Sequence, residues 1–283
     1  EGSAHDLDRL ILARLNELVR NMTEDLERFE VSEPAREVRA FIADTLSQGY
    51  LQLSRERFRG DDAADKRQAV ATMRFVLETL ARLMAPLTPF LAEYVYQRVK
   101  GAGAQESVHL AEWPRAGKID ENLLEMGVVL DAHRSFGRRA REGFGIPLRQ
   151  PLEEYAVLSW GKAPLSGQLV EVLRGDLNVK RVNTEKAAVG EVPEGAMSSN
   201  VTDELKAEGE VRAFVRAEQQ MRKQAGIMPQ DRAVAAYETD EAGERWMREH
   251  GESITARTKV EFERVERVEG EVKHLVGSST FSF

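Results

Sequence analysis

Cysteine is absent from the 283 residues. That removes disulfides, thiolate zinc sites and cysteine nucleophiles together, and leaves the redox compartment open. Histidine is scarce, and His5, His109, His133, His250 and His274 include no pair at the helical spacing of metal ligands, which argues against a metal site. Long apolar runs are missing too. No stretch approaches the ~20 residues of a membrane span, and Glu1 to Asp8 has neither the basic nor the apolar part of a secretion signal, so the expected location is cytoplasmic, with no membrane partner. The triplets Asn21-Met-Thr23 and Asn200-Val-Thr202 match the glycosylation pattern and are read as accidental. No phosphate-cradling loop is visible, since Gly101-Ala-Gly103 follows a helical pattern and enters an extended stretch. No serine sits in a nucleophile elbow, and with 48 acidic residues no carboxylate pair stands out. These absences disfavour a self-contained enzyme, and no catalytic residue is assigned.

Apolar and charged residues are abundant. Hydrophobic residues make up 42% and charged ones 31%, enough for a real core and too much for a disordered chain. The length suits roughly two domains. The formal net charge of −8 gives no general attraction for nucleic acid, so any such contact must be local.

Leu7, Ile11, Leu15, Leu18 and Met22 recur at helical spacing and predict a first helix over 8–22. Ser32 offers an N-cap and Pro34 a first turn. Val38, Phe41, Ile42, Leu46, Tyr50 and Leu53 then extend a second helix to about Phe58. After Gly60-Asp61-Asp62, a third stripe runs through Val70, Met73, Val76, Leu77, Leu80, Leu83 and Met84 to Pro86. Thr88-Pro89 begins a fourth, carried by Phe90, Leu91, Tyr94, Val95 and Val99, and a fifth follows over 121–142 with Leu123, Met126 and Leu130. Short connections between such helices favour an up-and-down bundle.

Beyond Pro147 the pattern changes. Strands are predicted at 155–158, 179–182, 234–237, 259–265 and Val272 to Val276, with helices at 165–173 and 203–224. The expected fold is mainly α: an antiparallel helix bundle over 1–146, then a small α+β domain over 147–283 with a mixed or antiparallel sheet. No internal repeat is visible.

The positive signal is local basicity. Arg134, Arg138 and Arg141 share a face of the fifth helix, with Arg139 beside them; Arg212, Arg216, Gln219 and Lys223 share a sector of the later helix. Arg55, Arg57 and Arg59 surround Phe58, an aromatic that could stack on an unpaired base. Each ridge has two readings, a phosphate-facing surface or a solvated face with Glu142, Glu218 and Glu56 as local ion partners. Phe58 and Trp113 are more often core or hinge packing than base platforms, and Met221 and Met228 are read as core fillers.

Several stretches carry a resemblance. Asp6-Leu-Asp-Arg-Leu-Ile-Leu-Ala-Arg-Leu15, Leu53-Ser-Arg-Glu-Arg-Phe-Arg-Gly60, Leu83-Met-Ala-Pro-Leu-Thr-Pro-Phe-Leu-Ala-Glu93 and Ser107-Val-His-Leu-Ala-Glu-Trp-Pro114 resemble, in order, the anticodon-binding helical domain of class I aminoacyl-tRNA synthetases. Leu148-Arg-Gln-Pro-Leu152, Asp176-Leu-Asn-Val-Lys180, Glu204-Leu-Lys-Ala-Glu-Gly209 and Met221-Arg-Lys-Gln-Ala-Gly226 are similar to the C-terminal part of the isoleucyl-tRNA synthetase family. The chain departs from that family at Leu10, where tryptophan is usual, and at Gln48-Gly49-Tyr50-Leu51-Gln52, which replaces an Asn-Trp-Tyr-Ile-Arg-like run.

The resemblance implies a module that binds the anticodon stem-loop of isoleucine tRNA, with the following domain supporting that contact. The family's nucleotide-binding signatures have no counterpart here. The expected partners are therefore isoleucine tRNA and a catalytic part in cis or in trans, with no DNA; ATP is used by that catalytic part, and this chain holds no cofactor and no metal. Position in the family-like run assigns Arg55, Arg57 and Phe58 to anticodon-loop contact. Helical spacing assigns Arg134, Arg138 and Arg141, and then Arg216, Arg222 and Lys223, to phosphate contact. The alternative is a non-catalytic binding or scaffold module derived from such a synthetase.

Overall fold

The computed structural model describes residues 5–228, 231–266, 273–276 and 279–282. Its packing divides into two compact units: Glu1–Phe136 with Val157–Asp176 and Thr184–Gly195, and Gly137–Ala156 with Leu177–Asn183 and Ala196–Phe283.

The first unit is built on α1 (Asp6–Glu27), longer at both ends than its apolar stripe predicts; at the N-terminus the His5 ring nitrogen caps it, accepting from the Leu7 N–H at 3.2 Å. Its buried face, from Leu7 through Leu15 to Met22, packs on α2 (Ser32–Ala40), on a π-helical segment (Phe41–Leu51) and on α4 (Ala63–Met84). The single helix expected to Phe58 is thus three pieces, ending in the short α3 (Arg55–Arg59). The widened turns bury Phe41, Leu46, Gly49 and Tyr50 together. Ser32 is the first helical residue, and Val31 precedes it without a side-chain cap. Asp62 does cap α4, accepting from Ala64 and Asp65 N–H groups at 2.9 and 3.1 Å.

Helix α5 (Pro89–Val99) packs on α4 through Ala92 and Tyr96. That face differs from the predicted stripe. Phe90, Leu91 and Tyr94 point outward because the small Ala92 lets the short helix lie close on α4. Val70 is exposed as well. The extended stretch after a 3₁₀ turn (Val108–Leu110) is pinned to α1 by Trp113 Nε1 donating to Thr23 Oγ1 at 2.9 Å and Gly117 N–H donating to Asn16 Oδ1 at 3.0 Å. Helix α6 (Glu121–Gly143) crosses α1 at Gly127, where a Cβ would stand 2.7 Å from both Leu10 Cδ1 and Arg14 Nη2. Helix α7 (Gly167–Asp176) joins this unit by packing on α1.

Strands β1 (Leu152–Trp160), β2 (Val179–Asn183) and β3 (Pro193–Met197) form a mixed sheet in the order β2-β1-β3, with β1 and β2 parallel and Leu152 opposite Val179. In the second unit α8 (Asp203–Gln224) matches its predicted bounds. Strand β4 (Ala233–Tyr237) runs parallel to β5 (Val260–Arg264), with α9 (Glu241–Thr258) between them in sequence. Strands β6 (Lys273–Val276) and β7 (Ser279–Ser282) pair antiparallel, while Val272, predicted to begin the former, lies outside the described residues. The core here gathers Val211, Phe214, Tyr237, Met247, Ile254 and Phe281, with Trp246 and Phe262 edge-on or tilted against Phe214. Met228 is exposed rather than a core filler. The outcome is a mainly α fold followed by a small α+β part.

Candidate nucleic-acid interface

The cations that the sequence arranges in ridges divide into two groups. In the first unit Arg57 is a buried clamp. Its guanidinium donates to both Asp8 oxygens at 2.7 and 2.9 Å and to Asp65 at 2.8 and 3.0 Å, and the Tyr50 hydroxyl adds a 2.6 Å bond to Asp8. Burial opposes the charge on Arg57, yet hydrogen bonds to the two aspartates raise its pKa above the ordinary value. Asp8 has 0% exposure and Asp65 lies at the partly exposed edge, so the cluster is a satisfied, largely buried ion network tying α1, α3 and α4. Phe58 is half-buried beside it, its ring edge-on to Tyr50 with centroids 6.2 Å apart. Arg55, on the other side of α3, is exposed.

Arg134 is likewise buried. It reaches Asp131 at 3.0 Å, Asp176 at 3.1 Å and the Gln48 carbonyl at 3.0 Å. Asp131, one turn before Arg134 on α6, also pairs with Arg14 of α1 at 2.7 Å. The carbonyl bond to Gln48 closes the last turns of the π-helical segment onto α6.

In the second unit Arg141 has 2% exposure and, among the described residues, no carboxylate partner. Its five N–H donors all end on carbonyl oxygens: Leu177 twice at 3.0 and 2.8 Å, Asn178 at 2.9 Å, Pro147 at 3.2 Å and Gln150 at 2.8 Å. Burial brings its pKa down to about 10. Arg222 repeats the device, donating to the carbonyls of Thr258 at 2.7 Å, Met228 at 2.7 Å and Asp231 at 2.8 Å. The helical spacing that suggested phosphate ridges is therefore, for Arg57, Arg134, Arg141 and Arg222, the spacing of inward-facing staples. Their donors are spent inside the protein, which removes the geometry a phosphate contact needs.

What faces solvent is a shorter set. Arg55, Arg59, Arg216 and Lys223 are exposed, with Arg139 exposed beside the half-buried Arg138. Surface aromatics add to it, and two of them, Phe90 and Tyr94, are residues that periodicity placed on the fourth helix's apolar stripe. Phe90 and Phe29 are each 91% exposed, and Phe29 holds a left-handed φ of 62° at the end of α1. The Arg98 guanidinium lies 3.3 Å over the Tyr94 ring. A polar groove in the first unit is lined by Arg82, Pro86, Val108, His109, Glu112 and Trp113.

Among the described residues no group of three or more metal-binding side chains gathers, and no helix is long and apolar enough to cross a membrane. The fold and its surface define a mainly helical module with an α+β extension. Residues 8–156, the bundle and the start of the first sheet, match the family described as anticodon-binding domain of tRNA ligase. The chain belongs to that family. It is 35% identical over 279 residues to an isoleucine-tRNA ligase of Dehalococcoides mccartyi, covering 91% of this chain and 27% of the relative. The isoleucine-tRNA ligase of Thermobifida fusca is 36% identical over 197 residues, 69% of this chain and 18% of the relative. That of Thermus thermophilus is 29% identical over 331 residues, 87% of this chain and 32% of the relative. The match falls in the C-terminal region of such ligases, and the chain spans about a quarter of the length of the Dehalococcoides relative.

Proposed function

We propose that this chain is a tRNA-binding module that recognises the anticodon stem-loop of isoleucine tRNA, while ATP-dependent aminoacylation belongs to a catalytic part acting with it in cis or in trans. The observation that carries this reading is the family match over 8–156, joined to isoleucine-tRNA ligase relatives aligned along nearly the whole chain. On this reading the cofactor ATP is the catalytic part's, and this chain contributes binding alone. In the Leu53 to Gly60 run Arg55, Glu56, Arg59 and Gly60 are exposed and Phe58 is half-buried, and Arg55 with Phe58 offers charge and a stacking edge to an unpaired loop. Arg138, Arg216 and Lys223 are the remaining phosphate contacts proposed; these position the RNA without reading its sequence.

The test is a binding titration with the anticodon hairpin of isoleucine tRNA and the same hairpin carrying substituted loop bases. Loss of even one stacked base contact predicts roughly tenfold weaker binding of the substituted hairpin. Equal affinity for the two hairpins overturns the reading.

A further inference from the structure

The backbone over 137–183 repeats itself over 218–264 at a constant offset of 81 residues, the sequence distance from Arg141 to Arg222. Each of these arginines donates to the carbonyls six, nine and thirty-six residues further on: Pro147, Gln150 and Leu177 for the first, Met228, Asp231 and Thr258 for the second. The turns after them match bond for bond. Ile146 N–H donates to the Arg141 carbonyl and Ile227 N–H to that of Arg222, each at 2.9 Å. Leu152 N–H donates to Asn178 and Ala233 N–H to Lys259, at 3.1 and 3.2 Å. Gly145 and Gly226 hold φ of 66° and 71°, and Asn178 and Lys259 hold φ of 50° and 59°. The parallel registers continue the match, Leu152 opposite Val179 and Ala233 opposite Val260. Little of the sequence survives between the copies beyond Arg141/Arg222, Gly145/Gly226, Ile146/Ile227 and Val179/Val260, which is why no repeat is visible in it.

The repeat assigns corresponding faces to the two helices. Inward on α8 lie Val211, Phe214, Glu218 and Arg222, all buried, and the equivalent inward positions on α6 end in Gly137 and Arg141. Outward on α8 lie Arg216, Gln219, Gln220 and Lys223, all exposed and within a sector of about 100°. The outward positions of the first copy that correspond to Gln219, Gln220 and Lys223 are Arg138, Arg139 and Glu142. The counterpart of Arg216 is Ser135, and Arg138 is half-buried, so the full row of long donors belongs to the second copy, which also has a lysine where the first has Glu142. Between Val211 and Gln224 the sole carboxylate is Glu218, and it is turned inward at 2% exposure. Among the described residues neither Arg216 nor Lys223 makes an ion pair, in contrast to Lys180 and Arg181 of the first copy, which pair with Glu208 and Glu154. An acid-free row of two unpaired cations and two amide donors complements a phosphodiester backbone, whose oxygens only accept.

We infer that residues 137–183 and 218–264 are two copies of one helix-loop-strand-helix-strand pattern, and that the outward face of α8, Arg216, Gln219, Gln220 and Lys223, is a contact surface for RNA backbone. This inference rests on the tRNA reading above, which already includes Arg216 and Lys223, and deepens it by adding Gln219 and Gln220 as one face outside the family-matched residues 8–156. Arg222 is a positioning residue here: it ties the end of α8 to the loop and strand that follow.

The test measures binding of the full chain to isoleucine tRNA, with its native anticodon and with a replaced one, at two salt concentrations. The double variant Arg216→Glu/Lys223→Glu is compared with Lys162→Glu/Lys186→Glu, which makes the same charge change at exposed sites elsewhere. The α8 variant is expected to lose affinity on the order of tenfold for both tRNAs, with a salt slope shallower by roughly two, while the other variant keeps the parent's values. Unchanged affinity in the α8 variant, or an equal loss in both variants, overturns the inference. Loss of discrimination between the two anticodons in the parent overturns the anticodon reading alone and leaves the α8 surface standing as a general RNA contact. No binding to either tRNA overturns both.

Discussion

Arginine decides much of this protein, and its environment, more than its spacing, decides what each arginine does. Arg57 lies among carboxylates and stays a firm cation, whereas Arg141 lies among carbonyl dipoles alone and has its pKa brought down to about 10. A ridge at i, i+3 and i+4 reads the same whether it faces water or the protein interior, so the sequence could name Arg134, Arg141 and Arg222 without giving their direction. The sign of burial is clearer at Glu218. Buried, with Oε2 lacking a hydrogen-bond partner among the described residues, its carboxyl is pushed up to about 6, only partly offset by Arg222. Between the ordinary glutamate value of 4.5 and that of about 6, the folded protein holds a proton that the unfolded chain has lost. Stability therefore falls as pH rises through this window, by about 2 kcal/mol in all. Replacing Glu218 by Gln removes that slope. Urea unfolding of both proteins at pH 4 and pH 7.5 should show the variant gaining about 2 kcal/mol relative to the parent at the higher pH. A difference that does not change with pH would contradict the assignment.

At the scale of elements, the helices with a continuous apolar stripe were the legible ones: α1, α4, α6 and α8 lie where their periodicity puts them. The π-helical segment was not, because Phe41, Leu46 and Tyr50 fit a helical stripe nearly as well as they fit the wider turn. Helix α9 escaped notice for a different reason. Its buried positions are Gly243, Met247, Ile254 and Thr258, too few large apolar residues to register, although Asp240 caps it by accepting the Gly243 N–H at 2.7 Å. Strand β3 begins at a proline and β7 is four residues long, so neither offers an alternating pattern. The two carbonyl-binding arginines carry the prediction at this scale. Arg141→Met leaves the carbonyls of Leu177, Asn178, Pro147 and Gln150 without that donor, and Arg222→Met does the same for Thr258, Met228 and Asp231. Each should cost at least ~3 kcal/mol and raise hydrogen exchange in its own strand pair, β1 and β2 for Arg141, β4 and β5 for Arg222. Exchange that rises equally in both strand pairs for either variant would deny that the copies are separate modules.

Taken as a whole, the protein is an acidic chain in a family of RNA readers. A net charge of −8 gives no long-range pull toward a polyanion, so attraction has to come from places where cations outnumber acids locally. The buried arginines cannot supply it. The exposed Arg55 beside Phe58, and the outward face of α8, are where the proposed contacts concentrate. The family resemblance was visible in ordered motifs along nearly the full chain, and the match over 8–156 agrees with it. The contact residues were less visible, because a motif preserves the residues that build a surface along with those that use it: Arg57, in the Leu53 to Gly60 run, turns out to build. The most direct measurement is a chemical footprint of isoleucine tRNA bound to this chain at low salt, with cleavage read at every nucleotide. Protection centred on the anticodon stem and loop, reduced there by Arg55→Glu, is the predicted result. Protection confined to other parts of the tRNA, or none under conditions where the chain is folded, would contradict the assignment of this module to the anticodon.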